Sequence, residues 1–553
     1  MAVAKAMKYV YADVLVIGGG QAALRAAIAA REAGASVVMA SKGKIGSGGS
    51  SVISDGVHSA IFTDRDSPQN FFEDIMRGGR WINDPDLVHI FTAECTFRVQ
   101  ELAEKFGVNL HFERQVATPG HSFPRRVYAG KGNGRLVTQA LREYARSIGI
   151  CFYEQTWVID LLQEERVNGA VGLHGDEWIA FFAGSTILAS GGIGGLYANS
   201  DNPNDVTGEG IGMAWRHGAA LRDMEFIQFY PYRLVYPRNL DLYTKIFAKG
   251  AKMFNEKGER FMEGYPKKEL ETRDVLCYEM YRQRKIFLDI SEVKKEDLAN
   301  DSPRLYQLLE KGYNGELLLA PVEHYSIGGI QVDRDGRTGV EGFYACGECT
   351  GGLHGANRLG GGALTEALVF GARTGWTAAQ ESLPMLRRKR ENVCDQIFFN
   401  AHDLLSEEAK SALAQLRKRV QEIMWNRAGI ERTLSGLRTA ARDLRALTEA
   451  LDEGEFSGIQ GVGKQVGKDM IRAAWLVCYS ASLREESRGA HRLAECPTER
   501  EDFVGNFVMR GESCSFIPVN TNGMDKNEKV ENGQKQRMDK KSGTDKTDQV
   551  RGR

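Results

Sequence analysis

The chain has 553 residues, of which 42% are hydrophobic, and its 72 basic and 73 acidic residues nearly cancel. This length and composition indicate a globular protein of roughly three or four domains, and the balanced charge gives no global attraction for the polyanionic backbone of a nucleic acid. Its apolar stretches, such as Val14–Ile17, are far shorter than the roughly 20 residues that cross a bilayer, and no secretory signal opens the chain, so we expect a cytoplasmic protein that acts on a small molecule.

The chain opens with a strand–helix–strand pattern. Val14–Ile17 is an apolar run that stops at a glycine turn, which is typical of a buried parallel strand. Ala22–Ala33 has the small, helix-favouring residues of a helix that packs closely on a sheet, and Gly34 ends it. Ser36–Ala40 then forms the second strand, so the segment predicts a βαβ unit.

The turn between the first strand and the helix has the pattern G-x-G-x-x-G/A at Gly18, Gly20 and Ala23. Gly18 permits the tight turn, Gly20 lets a pyrophosphate approach the backbone, and Ala23 allows close packing of helix on sheet. The pattern predicts a dinucleotide site, against the bland alternative of a glycine turn that binds nothing. Ser41 and Lys42 stand where a carboxylate often takes the ribose hydroxyls, and Ser41 can bond to one of them. Alone, the pattern does not separate nicotinamide enzymes from flavin enzymes.

Glycine-rich turns recur twice in the middle of the chain. Residues 185–221, "STILASGGIGGLYANSDNPNDVTGEGIGMAWRHGAAL", and residues 342–376, "GFYACGECTGGLHGANRLGGGALTEALVFGARTGW", both indicate strand, glycine loop and helix. From about Leu386, charged residues accompany apolar residues at helical spacing, which predicts a separate helical domain. Residues 520–553 have almost no apolar side chains, and we expect a disordered tail there.

The nine cysteines are scattered, which favours reduced thiols over a disulfide framework. One close pair, Cys346 and Cys349, lacks the second pair of a zinc or iron–sulfur site and the following His of a haem attachment site. We therefore predict no metal site and no redox role for these two thiols.

The later glycine segments, with "HYSIGGIQVD", "DMEFIQFYP", "NEKGERFM", "TRDV" and "ESRGAH", resemble the flavoprotein subunits of succinate dehydrogenase and fumarate reductase and the related L-aspartate oxidases. The resemblance runs from Asp13 to about Pro497 with the motifs in order, and it implies FAD as the cofactor. It also implies an α/β Rossmann-like FAD-binding domain that is discontinuous, an inserted α+β capping domain and a C-terminal helical domain. The implied ranges are 1–241 and 325–381 for the FAD-binding domain, 242–324 for the capping domain and 382–519 for the helical domain.

In that family three segments hold FAD, and each has a match here. The Glu of a G-E-x segment contacts the ribityl chain, an A-N-R-L segment and the small residues after it lie along the isoalloxazine ring, and a T-G-D-G loop supports the adenosine half. The matching residues are Glu348, then Asn357, Arg358, Leu359, Ala363 and Leu364, then Thr207, Gly208, Glu209 and Gly210, with Glu209 in place of the usual Asp. The loop "NRLGGGAL" opens a predicted helix, Ala363–Gly375, whose positive dipole end would stabilise a reduced, anionic flavin.

One departure concerns the attachment of FAD. Complex-forming members of the family commonly hold FAD covalently through a His in an S-H-T-x-A-A-Q-G-G segment. The matching stretch is "GSGGSSVISDGVHSA", where Gly49 takes the position of that His and His58 lies nine residues later. We therefore predict dissociable, non-covalent FAD.

Three residues match family positions that handle the substrate. Arg273 in "TRDV" matches the proton donor, while His324 in "EHYSIGGI" and Arg358 in "ANRLG" match residues that grip one carboxylate. Hydride delivery to one alkene carbon needs a proton for the other carbon, and cationic clamps position the acid and polarise its double bond. The bland alternatives are a salt bridge from Arg273 to Glu271 or Asp274 and a packed or surface role for His324.

The other half of the substrate pocket departs from the family. "QFYP" replaces Q-F-H-P, so Tyr230 stands where a His would bind the second carboxylate. "YTKIFAKGA" replaces T-E-x-x-R-G-E-G. Tyr243 therefore stands at the position of Thr, Thr244 at that of Glu, and Phe247 at that of Arg. Lys245 or Lys249 is a candidate replacement, although such lysines are more often solvated. We expect intact hydride machinery and altered specificity for a dicarboxylate.

Three functions stay open at this point. The first is fumarate–succinate interconversion, with tyrosine hydroxyl groups and a lysine replacing the lost clamps. The second keeps flavin chemistry with another acid, as in an L-aspartate oxidase or an enzyme for a different enoate or amino acid. The third is a non-catalytic, FAD-bound scaffold subunit.

The resemblance implies that an iron–sulfur subunit is the electron-transfer partner. This chain has no cluster or haem motif of its own, so electrons must come from that partner or from a diffusible donor. Any membrane contact would run through partner subunits on the inner face of the membrane. "AECP" replaces the usual D-[FY]-P after "ESRGAH", which departs from the family close to the expected partner surface.

Overall fold

The computed structural model describes residues 7–114, 118–130, 133–382 and 406–519. The helices are α1 (Gln21–Glu32), α2 (Ser50–Ile53), α3 (Pro68–Gly78), α4 (Pro85–Glu104), α5 (Gly134–Ser147), α6 (Glu209–Arg216), α7 (Thr244–Ala248), α8 (Arg273–Tyr281), α9 (Lys295–Asp301), α10 (Pro303–Glu310), α11 (Gly362–Glu381), α12 (Glu407–Arg427), α13 (Leu434–Glu453) and α14 (Gly461–Leu483). The strands are β1 (Lys8–Ile17), β2 (Val37–Ala40), β3 (Val57–Ser59), β4 (Leu110–Phe112), β5 (Arg126–Ala129), β6 (Cys151–Tyr153), β7 (Thr156–Gln163), β8 (Val167–His174), β9 (Glu177–Leu188), β10 (Leu221–Arg222), β11 (Ile227–Tyr236), β12 (Leu240–Asp241), β13 (Lys252–Asn255), β14 (Ile286–Asp289), β15 (Leu318–Ser326), β16 (Gly329–Gln331), β17 (Phe343–Ala345), β18 (Thr350–Gly351), β19 (Gly505–Arg510) and β20 (Ser513–Pro518). Among these residues no helix is both long and apolar enough to cross a membrane. The predicted disordered tail, residues 520–553, lies outside the described residues.

The central sheet has the strand order β6-β2-β1-β9-β8-β7, and β17 pairs with β9 beside this path. β1 runs parallel to β2, with Val14 opposite Val37 and Ile17 opposite Ala40, and parallel to β9 on its other side. β7, β8 and β9 pair antiparallel. The predicted βαβ unit is confirmed as β1, α1 and β2, and the sheet has the predicted Rossmann-like α/β architecture.

The helices α1 and α11 cross closely at glycine positions. A Cβ on Gly375 would meet the carbonyl oxygen of Ala26 at 2.0 Å, and one on Gly371 would meet that of Ala22 at 2.9 Å. Glycine is therefore needed for the two backbones to approach this closely. The crossing brings the loop before α11 next to the glycine turn before α1, although more than three hundred residues separate them in the sequence.

A smaller inserted domain, called the cap below, consists of strands β11–β15 with helices α7–α10. Its sheet has the order β12-β11-β15-β14-β13, and all of its strand pairs are antiparallel. It has a hydrophobic core of its own, which includes Leu276, Leu288 and Leu319. The predicted α+β cap is confirmed, and its predicted boundaries at residues 242 and 324 stay predictions. Because α8 begins at Arg273 and packs on β11, the cap carries that arginine to the edge of the main sheet domain.

Helices α12, α13 and α14 form the predicted C-terminal helical domain. Ser406 caps α12 and Thr433 caps α13, each accepting a hydrogen bond from a backbone amide in the first turn. After α14 the chain forms β19, which pairs antiparallel with β10 in a sheet of order β18-β16-β10-β19-β20. The last described segment is therefore tied by hydrogen bonds to the middle of the chain.

A buried network of charges joins the end of α14 to the loop before β11. Arg484 Nε donates to Glu225 at 2.7 Å, and Arg484 Nη1 donates to Glu486 at 2.9 Å. Arg488 Nε donates to the same oxygen of Glu486 at 2.7 Å. The side chains of Arg484, Glu225 and Glu486 have no exposed surface. Since buried charges are tolerated only when they are paired, this network ties the helical domain to the rest of the fold.

Candidate active site

One cavity of about 320 Å³ extends from the glycine turn after β1 to the loop before α11. Its volume is that of a typical ligand pocket. The predicted cofactor residues that line it are Gly18, Gly20, Ser41, Lys42, Glu209, Gly210, Glu348, Arg358, Ala363 and Leu364. The predicted cofactor residues outside its lining are Ala23, Thr207, Gly208, Asn357 and Leu359. The predicted substrate residues that line it are Tyr230, Arg273 and His324, so one space reaches from the glycine turn to the predicted catalytic groups.

The glycine turn has the geometry that a dinucleotide site requires. Gly18 has φ +135°, and a Cβ there would meet the carbonyl oxygen of Ala189 at 2.2 Å. Gly20 is the residue before the first turn of α1, so the free amides of that turn face the cavity end that Gly18 and Gly20 line. The same Cβ on Gly18 would lie 3.4 Å from the Cβ of Ala23, in keeping with the packing role predicted for that alanine.

Lys42 and Glu209 form an ion pair in the cavity lining. The Thr207 hydroxyl donates a further hydrogen bond to Glu209 at 2.5 Å. Burial alone would raise the pKa of Glu209, but Lys42 and these hydrogen bonds hold it below its usual value, so the carboxylate stays charged. The longer side chain at this position, which replaces the family's Asp, is accommodated by its contact with Lys42.

The other end of the cavity lies at the start of α11. Gly361, in the left-handed region at φ +85°, precedes the first turn, and Gly361, Ala363 and Leu364 line the cavity. Observed helix α11, Gly362–Glu381, is longer than the predicted Ala363–Gly375 and begins where the sequence placed its positive dipole end. Glu348 is nearby in the lining, and burial raises the pKa of its carboxyl to about 7.

Two buried polar atoms of the lining have no hydrogen-bond partner in the described part of the chain, Gln21 Oε1 and Ser190 Oγ. Leaving such atoms unmet in a protein interior is costly, so they suit a polar ligand with hydroxyl or N–H donors. Together with two helix N-termini and the glycine turn, they make the lining fit FAD, whose pyrophosphate is anionic and whose ribityl chain carries hydroxyl groups.

No histidine is placed to attach the cofactor at the position that the family uses. Gly49 lines the cavity but has no side chain to form a bond, and His58 is fully buried outside the lining. His58 Nε2 lies 3.1 Å from Gln21 Nε2, and its Nδ1 lies 3.2 Å from the carbonyl oxygen of Gly56. Both ring nitrogens of His58 therefore have partners within the protein.

We expect FAD to be released when the protein is denatured. Acid precipitation should leave the yellow colour in the supernatant and a colourless pellet, because no covalent bond to Gly49 or His58 retains the flavin. The measurement is the absorbance of supernatant and pellet, with His58→Ala as the matched variant. A flavin-fluorescent band of the full-length chain on a denaturing gel would show the prediction to be wrong.

The thiols of Cys346 and Cys349 are both buried, and Cys346 lines the cavity. Burial raises the pKa of Cys349 to about 12 and that of Cys346 well above its usual range. Both thiols are therefore protonated at neutral pH, and a protonated thiol is a poor nucleophile.

Gln228, on β11, joins the two guanidinium groups predicted to act on the substrate. Its Oε1 accepts hydrogen bonds from Arg273 Nη1 at 2.9 Å and from Arg358 Nε at 3.1 Å. Its Nε2 donates to the carbonyl oxygen of Arg358 at 2.7 Å and to Asn357 Oδ1 at 3.1 Å. Because one buried amide oxygen holds both guanidinium groups, the cap arginine and the α11-loop arginine meet at a fixed separation.

Neither guanidinium is neutralised by an ion pair among the described residues. Asp274, offered by the sequence as a partner for Arg273, pairs instead with Arg80 at 2.9 Å and Arg492 at 3.6 Å. Arg358 is only 5% exposed, and burial together with the positive charge of Arg273 lowers its pKa to about 10. Glu348 and Glu366 act on Arg358 without pairing with it, so two neighbouring cations favour an anion in the space that they face.

His324 lines the cavity next to these arginines. Its Nδ1 lies 2.7 Å from Asp201, and its ring stacks on Tyr230 with centroids 4.9 Å apart. Burial lowers the pKa of His324; Asp201 opposes this and the charges of Arg273 and Arg358 add to it, with a net lowering that leaves the ring neutral near pH 7. Since Asp201 only accepts, Nδ1 carries the proton, and Nε2 is a hydrogen-bond acceptor with no partner among the described residues.

Tyr230, Tyr243 and Thr244, the predicted candidates for binding a second carboxylate, use their hydroxyl groups in hydrogen bonds within the protein. The Tyr230 hydroxyl donates to the carbonyl oxygen of Leu242 at 2.7 Å. Tyr243 and Thr244 lie outside the lining of the main cavity, where the Tyr243 hydroxyl bonds to Asp55 and Thr244 Oγ1 accepts from Arg126 at 3.3 Å.

The side chains of Lys245, Lys249 and Phe247 also make their contacts outside the cavity. Lys245 pairs with Glu113 at 2.6 Å, and Lys249 pairs with Asp297 at 2.6 Å. Phe247 is buried in the core of the cap. None of these side chains lines the main cavity, so none supplies the cation that the family uses there.

Sequence reasoning missed four residues of this region: Gln228, Asp55, Asp201 and Asp241. All three aspartates line the cavity. Gln228 stood within the quoted "QFYP" motif, and Asp55 stood within the stretch compared only for covalent attachment of FAD. A count of charged residues in the motif segments would have pointed to Asp55 and Asp201, whereas Asp241 lies in no quoted motif.

Comparison with known proteins places these features in one family. The model described as "FAD binding domain" matches residues 13–364, and that described as "Fumarate reductase flavoprotein C-term" matches residues 417–527. One subunit of the fumarate reductase (CoM/CoB) of Methanothermobacter marburgensis is 34% identical over 90% of this chain and 96% of its own length. The L-aspartate oxidase of Pyrococcus furiosus is 31% identical over 91% of this chain and 99% of its own length.

Solved structures agree with these sequence matches. The flavoprotein of a quinol fumarate reductase from E. coli superposes with a TM-score of 0.81 at 25% identity, covering 94% of this chain and 98% of its own. Sdh1 of Mycobacterium smegmatis, in complex with UQ1, gives a TM-score of 0.77 at 28% identity, covering 93% and 95%. With its FAD-fitting cavity and paired guanidinium groups, the chain belongs to the family of FAD-dependent oxidoreductases that includes the fumarate reductase and succinate dehydrogenase flavoproteins and the L-aspartate oxidases.

Proposed function

We propose that this chain transfers a hydride between FAD and the carbon–carbon bond beside the carboxylate of a small acid. The observation that carries the proposal is the pair of guanidinium groups of Arg273 and Arg358, joined by Gln228 at the end of the FAD-fitting cavity. Such a pair holds a carboxylate and withdraws charge from the adjacent bond. A non-catalytic scaffold would have no use for two cations kept without carboxylate partners.

The residues of the pair and its neighbours have separate roles in this proposal; His324 is not among them, because its Nε2 is an acceptor and cannot grip a carboxylate as the sequence predicted. FAD, when bound, supplies the hydride donor and acceptor. Arg358 and Arg273 bind the carboxylate, and Gln228 orients both of them. Arg273 is also the proposed proton donor to the second carbon, which its position on the cap allows only when the cap lies against the main domain. The amides at the start of α11 stabilise negative charge at that end of the cavity.

The substrate pair that the relatives support first is fumarate and succinate, because the Methanothermobacter relative is named a fumarate reductase. The geometry supports a clamp for one carboxylate of that pair. L-aspartate oxidation is the second candidate, favoured by the aspartates of the lining, which suit an amino group.

The Methanothermobacter relative is named as one subunit of its enzyme, and this supports a partner for the present chain. We propose an electron-transfer subunit with iron–sulfur clusters, since electrons must reach the flavin from outside the described chain. Contact with the inner face of a membrane would then run through partner subunits.

We expect the dithionite-reduced, FAD-loaded protein to be reoxidised anaerobically by an enoate that carries a carboxylate. The measurement is the return of the flavin absorbance after mixing with fumarate or crotonate, with the saturated acids as controls. In a parallel experiment in air, the oxidised protein is mixed with L-aspartate, and the hydrogen peroxide formed when O2 reoxidises the flavin is followed. Reoxidation by an enoate supports the proposal. Peroxide from L-aspartate without any reaction of enoates would favour the oxidase instead, and no reaction with either would contradict both.

A further inference from the structure

The cavity carries charges of both signs around the space next to Tyr230. The cations are Arg273, whose guanidinium lies 4.9 Å from the centre of the Tyr230 ring, and its neighbour Arg358. The carboxylates of Asp55, Asp201 and Asp241 line the same cavity, and Asp55 and Asp241 lie close enough to act on the Tyr230 hydroxyl. A substrate with two carboxylates would have one of them facing three acidic side chains.

We propose that the far end of the substrate, opposite the carboxylate held by Arg273 and Arg358, is a nitrogen group that donates hydrogen bonds to Asp55 and Asp241. The inference rests on the proposed function, because it takes the carboxylate at the arginine pair as given.

Asp241 pairs through Oδ1 with Arg233, which lies outside the cavity lining, and Asp201 contacts His324, so the negative charge of the three aspartates is only partly compensated. No Lys, Arg or His of the described chain lies within ion-pair distance of Asp55, whose one protein partner there is the Tyr243 hydroxyl. Burial raises the pKa of Asp55 to about 7, and the negative charge of Asp241 raises it too, so the two carboxylates act on each other. Arg126, whose charge lowers the pKa of Asp55, lies outside the cavity lining and is held by Thr244 and Tyr128.

The neighbouring polar groups also present acceptors rather than donors. The neutral ring of His324 offers Nε2, because its Nδ1 proton is directed at Asp201. The hydroxyl proton of Tyr230 is directed at the carbonyl oxygen of Leu242. A carboxylate would find no donor among these groups, whereas an N–H donor would find several acceptors.

The free donors of Arg358, on which the proposed function also rests, indicate where the anionic end of the ligand lies. Arg358 is more than nine-tenths buried and lines the cavity, yet its two terminal nitrogens have no hydrogen-bond partner among the described residues. The guanidinium of Arg358 packs over the Tyr325 ring at 4.3 Å and lies next to the cation of Arg273, so its terminal nitrogens favour an anionic group from outside the chain. The ligand therefore carries an anion at Arg358 and reaches toward the aspartates from there.

The test compares three ligands of similar length that differ only at the far end: succinate, its monoamide succinamate, and 4-aminobutanoate. Their dissociation constants for the oxidised, FAD-loaded protein are measured from the change in flavin absorbance. We expect succinamate, 4-aminobutanoate or both to bind at least about tenfold more tightly than succinate. The comparison of the two nitrogen ligands tells a neutral amide from an ammonium group.

Two variants locate the effect. Asp55→Asn and Asp241→Asn should each lower the preference over succinate by about tenfold, while Asp297→Asn, a carboxylate of the cap outside the cavity, should leave it unchanged. Tighter binding of succinate in the native protein, or a preference that both cavity variants leave intact, would overturn the inference. Because this readout is binding, it is separate from flavin reoxidation by enoates, whose failure would count against the proposed function instead.

Discussion

Replacing Arg358 with methionine is expected to lower kcat/KM for the acid substrate by about 10²- to 10³-fold. Methionine keeps most of the buried volume but removes the guanidinium that binds the carboxylate and the Nε–H that donates to Gln228. Gln228 then orients Arg273 alone. The loss should fall on kcat as well as KM, because the same charge polarises the reacting bond in the transition state.

The matched control is Arg337→Met, which removes an exposed arginine paired with Asp333 and Glu381 far from the cavity lining. That variant should keep native kcat/KM. FAD content is measured in both, because Arg358 lines the space that FAD would fill. An Arg358→Met protein with full flavin content and native kcat/KM would contradict the role given to the arginine pair.

Replacing Arg484 with methionine is expected to lower the free energy of unfolding by about 3–5 kcal/mol. The side chain is fully buried between Glu225 and Glu486, and the change leaves both carboxylates in the interior without this cation. Arg488 still pairs with Glu486, but no other arginine is within ion-pair distance of Glu225 in the described chain. The expected fall in Tm is about 5 °C or more, measured by thermal denaturation of the FAD-loaded protein.

The surface arginine Arg500, which pairs with Asp502, provides the control for that experiment. Arg500→Met should leave Tm unchanged, since exposed pairs contribute little. The double change Arg484→Met with Glu225→Gln should recover part of the loss, because it removes the unpaired charge. A native Tm in Arg484→Met would mean that the network does not hold the helical domain to the fold.

The elements that the sequence predicted well are those with strong local signals. The β1–α1–β2 unit followed from a short apolar strand, a glycine turn and an alanine-rich helix, and α11 followed from its glycine loop. β19 and β20 were missed, because a short strand that pairs with the distant β10 has no local signal within a segment that looks helical. The start of β1 at Lys8 was missed for a similar reason, since its first residues, Lys8–Tyr11, are largely exposed and form no continuous apolar run.

The site residues also fall into those that local motifs predict and those that only the folded chain brings together. Arg273, His324 and Arg358 were predicted from their motifs, and the structure places all three on one cavity. Gln228 belongs to the quoted "QFYP" motif, but the sequence assigned it no role. Its hydrogen bonds to two arginines depend on how the cap meets the main domain. The three aspartates come from segments near residues 55, 201 and 241, and only the folded chain brings them to one cavity.

The most direct measurement of the central claim is a crystal structure of the FAD-loaded protein with succinate or succinamate bound. We expect one carboxylate of the ligand within hydrogen-bonding distance of both Arg273 and Arg358, with Gln228 still joining them and the flavin ring alongside. A ligand carboxylate bound elsewhere in the cavity would contradict the account. So would a structure in which the flavin lies between Arg273 and Arg358 and keeps them from contacting one carboxylate.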